Sequence, residues 1–190
     1  MAEPEDDIAE TLVEGDTYEQ ASLAVSRMIP VSLERKIQIA VVSLALSGLV
    51  APAILLRRDL LRSLEGTGSL SLSLGLIALN GILNAALGGL LLVRQRYLVD
   101  RRSLTTKQAR KLIRLEDFFA AFVLFGALFV FASVVIASIG VVSPSTVEAL
   151  YSQDVRIYES DTALTLDLRV VSGVGVTLAG VVLTLKRVVE

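Results

Sequence analysis

Few side chains in this 190-residue chain are equipped for chemistry. Cys and His are both absent, which removes thiolate nucleophiles, the commonest acid–base residue and the soft metal ligands. Haem, zinc and iron–sulfur centres lose their usual ligands, and no cofactor or metal is expected. The acids Asp154, Glu159, Asp161 and Asp167 could gather around a hard divalent cation, but their offsets of 5, 2 and 6 match no cation-binding loop. Glu148 with Asp154, or Asp161 with Asp167, are formal acid–base pairs. Nothing in the spacing puts either in a pocket, so a solvated acidic surface is the simpler reading. An enzyme is the least favoured class.

Asn80 and Asn84 are the most specific polar feature. They lie four residues apart in an otherwise apolar run and so share one helix face. Amides turned to lipid are costly, so this face is expected to meet protein or water. Read structurally, the pair fixes the register between helices. Read functionally, it lines a path or holds a polar ligand.

A third group is electrostatic. Arg94, Arg96, Arg101, Arg102, Lys107, Arg110, Lys111 and Arg114 fall within one short stretch. They are candidates for contact with anionic lipid headgroups, and equally for a topological anchor. The N-terminal stretch is their opposite: Glu3, Glu5, Asp6, Asp7, Glu10, Glu14, Asp16 and Glu19 precede the first cation, Arg27. That tail cannot be a secretory signal. Its acids, together with the absence of a recognition motif, argue against nucleic acid as a partner. Arg exceeds Lys 14 to 4, and with the acidic tail this resembles the composition of a salt-adapted host.

The elements that must carry these residues are apolar. Hydrophobic residues make up 53% of the chain, and mean hydropathy is +0.66. They fall into four blocks, 37–56, 70–93, 118–142 and 168–185, each near the roughly 20 residues that cross a bilayer as helix. An isolated hairpin would leave its edges unsatisfied in lipid, so the Val-rich fourth block is read as helix too. The expected fold is an all-α polytopic membrane protein: a four-helix transmembrane bundle with short amphipathic flanking helices. The divisions are an acidic disordered tail (1–16), an amphipathic juxtamembrane segment (17–36) and the transmembrane domain (37–185). Within the last lie a basic loop (94–117) and an acidic outer loop (143–167), and a short tail follows (186–190).

Sequence detail adds expectations. Pro52 should bend the first helix. Thr17 with Gln20, and Thr105 with Gln108, form capping-box patterns, and Ser145 with Glu148 should start a helix in the outer loop. Phe118, Phe122, Phe125 and Phe129 make a stripe that either fills space between helices or faces lipid. Gly88 extends the Asn face, Gly126, Ser133, Ala137 and Gly140 form a small-residue seam, and Gly173, Thr177, Gly180 and Thr184 form another. Such faces let helices approach closely.

Four crossings place 13 of the 18 cations on one side, so the positive-inside rule puts both termini and the basic loop in the cytoplasm. The expected partners are membrane lipid and either a second copy or another membrane protein. A non-catalytic scaffold or accessory protein leads, a subunit of an oligomeric channel or transporter follows, and a membrane-surface enzyme comes third.

Overall fold

In hydrocarbon no water satisfies a free backbone amide, so long apolar runs must close their hydrogen bonds internally as helix. The computed structural model describes residues 17–49, 51–52, 72–101, 103–155, 157 and 168–189. Its helices are α1 (Thr17–Ala24), α2 (Leu33–Ser47), α3 (Leu72–Arg101), α4 (Thr106–Val142), α5 (Pro144–Ser152) and α6 (Leu168–Val189). The protein is all-α and of multi-span membrane type. Among the described residues three helices, α3, α4 and α6, are long and apolar enough to cross a membrane. The expectation of four spans is met only in part, because α2 has 15 residues, about 22 Å.

The first apolar block breaks before Pro52 rather than at it. A proline ring clashes with the carbonyl four residues earlier, which here belongs to Gly48. The helix closes at Ser47 with Gly48 and Leu49 turned back onto Ala45 and Leu46, and residues 51–52 are helical again. Ser172 of α6 fills the gap. Its hydroxyl accepts from Ala51 N at 3.1 Å and donates to Ser47 O at 3.1 Å, the two groups that an unbroken helix would join directly.

α2, α3, α4 and α6 contribute to one core that includes Ile37, Leu44, Ile82, Leu92, Val123, Val130, Val171 and Val182. α2 and α6 run antiparallel. Lys186 near the end of α6 meets Glu34 at the start of α2, whereas Ser47 at the end of α2 meets Ser172 at the start of α6. A second cluster, with Ala51, Leu74, Ala137, Val147 and Ile157, seats α5 against the far end. A third, with Tyr18, Ala21, Ala109 and Ile113, seats α1 against the near end.

The basic loop is much shorter than 94–117. α3 continues to Arg101 and α4 starts at Thr106, so both helices project beyond their apolar blocks. The capping box at Thr105 and Gln108 is formed. Thr17, in contrast, already lies inside α1, and Met28, beyond the end of that helix, is 82% exposed. The outer-loop helix begins two residues early: Ser143, not Ser145, is its N-cap and Pro144 takes the first turn, where a missing N–H costs nothing. The acidic tail 1–16, Arg57, Arg58 and Arg62, and Arg102, Arg156, Glu159, Asp161 and Asp167 fall outside the described residues.

Candidate functional site

The most concentrated polar chemistry lies in a buried cluster at the end of the bundle shared by α1, the start of α2, α3 and α4. α4 presents an inward stripe of Ala109, Ile113, Glu116, Ala120, Val123, Gly126 and Val130, and Glu116 is the charge within it. A carboxylate there needs partners, because desolvation without pairing is costly. Lys36 Nζ donates to Glu116 Oε1 at 2.7 Å and to Asp117 Oδ1 at 3.1 Å, with the lysine side chain 2% exposed. Arg27 Nη1 stands 3.8 Å from Glu116 Oε1. The Tyr18 hydroxyl donates to Glu116 Oε2, and Met28 N donates to Asp117 Oδ2 at 2.7 Å.

Burial first, then the hydrogen bond to Glu116 and its negative charge, push the Tyr18 phenol above its ordinary value. It therefore stays a donor. Gln95 lies beside it and donates to Leu112 O at 2.8 Å. Two cations face two carboxylates, and both carboxylates are engaged. This chemistry clamps helices together; it presents neither a free base nor a nucleophile. Residue type and spacing alone do not single out Glu116, Asp117, Gln95, Tyr18 or Lys36. The available signal was an acid recurring in step with Ala109, Ile113 and Ala120.

Asn80 and Asn84 lie elsewhere, on the outward face of α3. Asn84 Nδ2 donates to Asn80 O at 2.9 Å and to Asn80 Oδ1. With Leu76, Leu79, Leu83 and Leu87 they line an open groove of about 460 Å³. Leu76, Leu83 and Leu87 are each about half exposed. Among the described residues the amides thus meet neither another helix nor an enclosed path. The inward face of α3 is taken by Ala78, Gly81, Ile82, Ala85 and Gly88, and the approach of α4 requires the absence of a side chain at Gly81 and Gly88.

The small residues divide in the same way. A Cβ on Gly126 would stand 2.4 Å from Ala85 N, and one on Gly88 would stand 2.8 Å from Phe119 O. Ser133 and Ala137 are buried on the same face of α4, and Gly140 lies near its end. On α6 the face that packs within the chain is not the expected one. Gly173, Thr177, Gly180 and Thr184 are exposed, and a Cβ on Gly173 or Gly180 meets nothing within 4 Å. The inward face carries Val171, Ser172, Gly175, Ala179 and Val182. Gly175 sets it, since a Cβ there would overlap Ser47 Oγ at 1.7 Å. The Phe stripe also turns outward: Phe118 and Phe125 are about 60% exposed, and Phe118 stacks edge-on with Phe122.

The eight cations are not equivalent. Arg96 pairs with Asp100 at 2.9 Å, and Arg101 lies over the Tyr97 ring. Arg94 is exposed at the end of the apolar part of α3. Lys107, Arg110, Lys111 and Arg114 share one exposed face of α4. Among the described residues, no group of three or more acids comes together to hold a metal ion. Comparison with known proteins returns no match to any protein family, curated protein or solved structure.

Proposed function

We propose that this membrane protein is a non-catalytic scaffold or accessory subunit that works by helix–helix contact. Its outward α3 face would hold a second copy of the chain or another membrane protein. The observation behind this reading is the Asn80–Asn84 pair on an outward face between half-exposed leucines. The pair satisfies only part of its own hydrogen bonding: Asn84 Oδ1 and the Asn80 amide protons have no partner among the described residues. A neighbouring helix supplies the missing groups and removes the amides from lipid. Leu76, Asn80, Leu83 and Leu87 follow offsets of 4, 3 and 4, the seam of a packed helix pair. In this reading α2 is the fourth crossing, and both termini lie with the α3–α4 loop in the cytoplasm. The antiparallel packing of α2 on α6 and the positive-inside rule support it.

The test is native mass measurement in mild detergent, followed by Asn80→Leu with Asn84→Leu. Wild-type chain is expected as an oligomer or bound to a partner. The double variant should associate at least about tenfold more weakly, given about 0.6–2 kcal/mol for each interhelical hydrogen bond. A wild-type chain that is monomeric and partnerless at every concentration overturns the reading. The same amides favour the second reading, an oligomeric channel or transporter subunit, if purified protein conducts ions or solutes in liposomes and the double variant changes that flux.

A further inference from the structure

α3 and α4 part company just outside their apolar blocks, and the space between them is amphipathic. A cleft of about 300 Å³ opens there, walled by Leu98, Leu104, Leu112 and Leu115 with Lys111 on its rim. Lys111 also belongs to the neighbouring basic surface with Lys107, Arg110 and Arg114. These four cations recur at offsets of 3, 1 and 3, so their charges crowd one helix face. Among the described residues none of them has a carboxylate partner. The nearby Arg96 and Arg101 are already engaged by Asp100 and Tyr97. Leu98 lies five residues beyond Val93 and Leu115 three before Phe118, which sets the cleft at headgroup depth.

An apolar cleft beside unpaired cations at that depth complements one kind of molecule, an amphiphile with an anionic head. We propose that the α3–α4 cleft is a binding site for an anionic membrane phospholipid. Lys107, Arg110, Lys111 and Arg114 hold its phosphate, and Leu98, Leu104, Leu112 and Leu115 take the first methylenes of its acyl chains. The site is complete within one chain and stands independently of self-association. It also narrows the basic stretch from eight candidate residues to four.

The experiment measures thermal unfolding of the full chain in neutral detergent with added phosphatidylglycerol, phosphatidylcholine or glycerol 3-phosphate. Phosphatidylglycerol is expected to raise the melting temperature, and the other two to leave it unchanged at the same concentration. Each Lys→Gln or Arg→Gln change among the four should lower the apparent affinity about fivefold. Changing Arg94, Arg96 and Arg101 together should have less effect than any one of them. The chain has no Trp, so Leu104→Trp, or Leu98→Trp if that variant does not fold, gives a clean reporter of position. Its emission should be quenched by phosphatidylglycerol brominated in the acyl chain and much less by brominated phosphatidylcholine. Equal stabilisation or quenching by both lipids overturns the site, as does stabilisation by glycerol 3-phosphate alone. Loss of the effect in the Arg94, Arg96 and Arg101 control but not in the α4 variants also overturns it.

Discussion

Glu116 occupies a place in the inward stripe of α4 where the pattern otherwise supplies an apolar residue, and the surrounding charges exist in relation to it. Lys36 reaches it from α2, Tyr18 from α1 and Arg27 from the segment between. Removing one partner of a buried ion pair costs more than removing both, because the remaining charge keeps its desolvation penalty. Lys36→Met should therefore destabilise the chain by about 3–5 kcal/mol. Lys36→Met combined with Glu116→Gln should recover much of that, since Arg27 and Asp117 are then left in balance. Unfolding in detergent micelles, followed by circular dichroism, checks both. Little of this cluster could be read in advance. Hydropathy marks Lys36 and Glu116 alike as edges of apolar blocks, and only their 80-residue contact through the fold makes them partners. The Asn pair was legible as residues sharing a face, but which way that face turns depends on the neighbouring glycines.

At the scale of elements, the α3–α4 hairpin depends on backbone approaching backbone. Gly126 abuts Ala85 N and, at 2.6 Å from an added Cβ, Gly81 O, and neither can rotate away as a side chain would. Gly126→Ala should force the helices apart and cost about 1–3 kcal/mol. Gly180→Ala, on the open face of α6, should be neutral or mildly stabilising, since nothing opposes the new methyl and alanine is the better helix former. Chemical denaturation of the two variants side by side gives the contrast in sign. Helix existence was well marked in the sequence, because a run of about 20 apolar residues has few other solutions in lipid. Helix ends were less well marked. α3 and α4 extend through the basic stretch because Arg, Gln and Lys are good helix formers, and hydropathy is blind to that. The packing face of α6 differs from the expected one for a related reason: two sets of small residues lie on the helix, and only the set with Ser172 and Gly175 is fixed by a partner, Ser47.

For the whole molecule, the start of α2, the α3–α4 connection and the end of α6 gather at one end of the bundle. The far end holds α5 and the start of α6. In the orientation proposed above, the first end faces the cytoplasm. The chain has no cysteine, so Lys107→Cys, Val188→Cys and Ser145→Cys each give a single thiol. A membrane-impermeant maleimide applied to intact cells should label Ser145→Cys alone. Labelling of the Lys107→Cys thiol from outside would reverse the orientation.

The Ser172 hydroxyl spliced into α2 bears on biogenesis. α2 is translated long before α6, and until α6 arrives the Ser47 carbonyl and Ala51 amide lack the group that joins them. α2 is thus finished by a helix that leaves the ribosome well after it. If α2 is the proposed fourth crossing, a nascent chain arrested before residue 172 would carry an open polar seam within the bilayer, a ready mark by which membrane quality control could tell an incomplete product from a finished one.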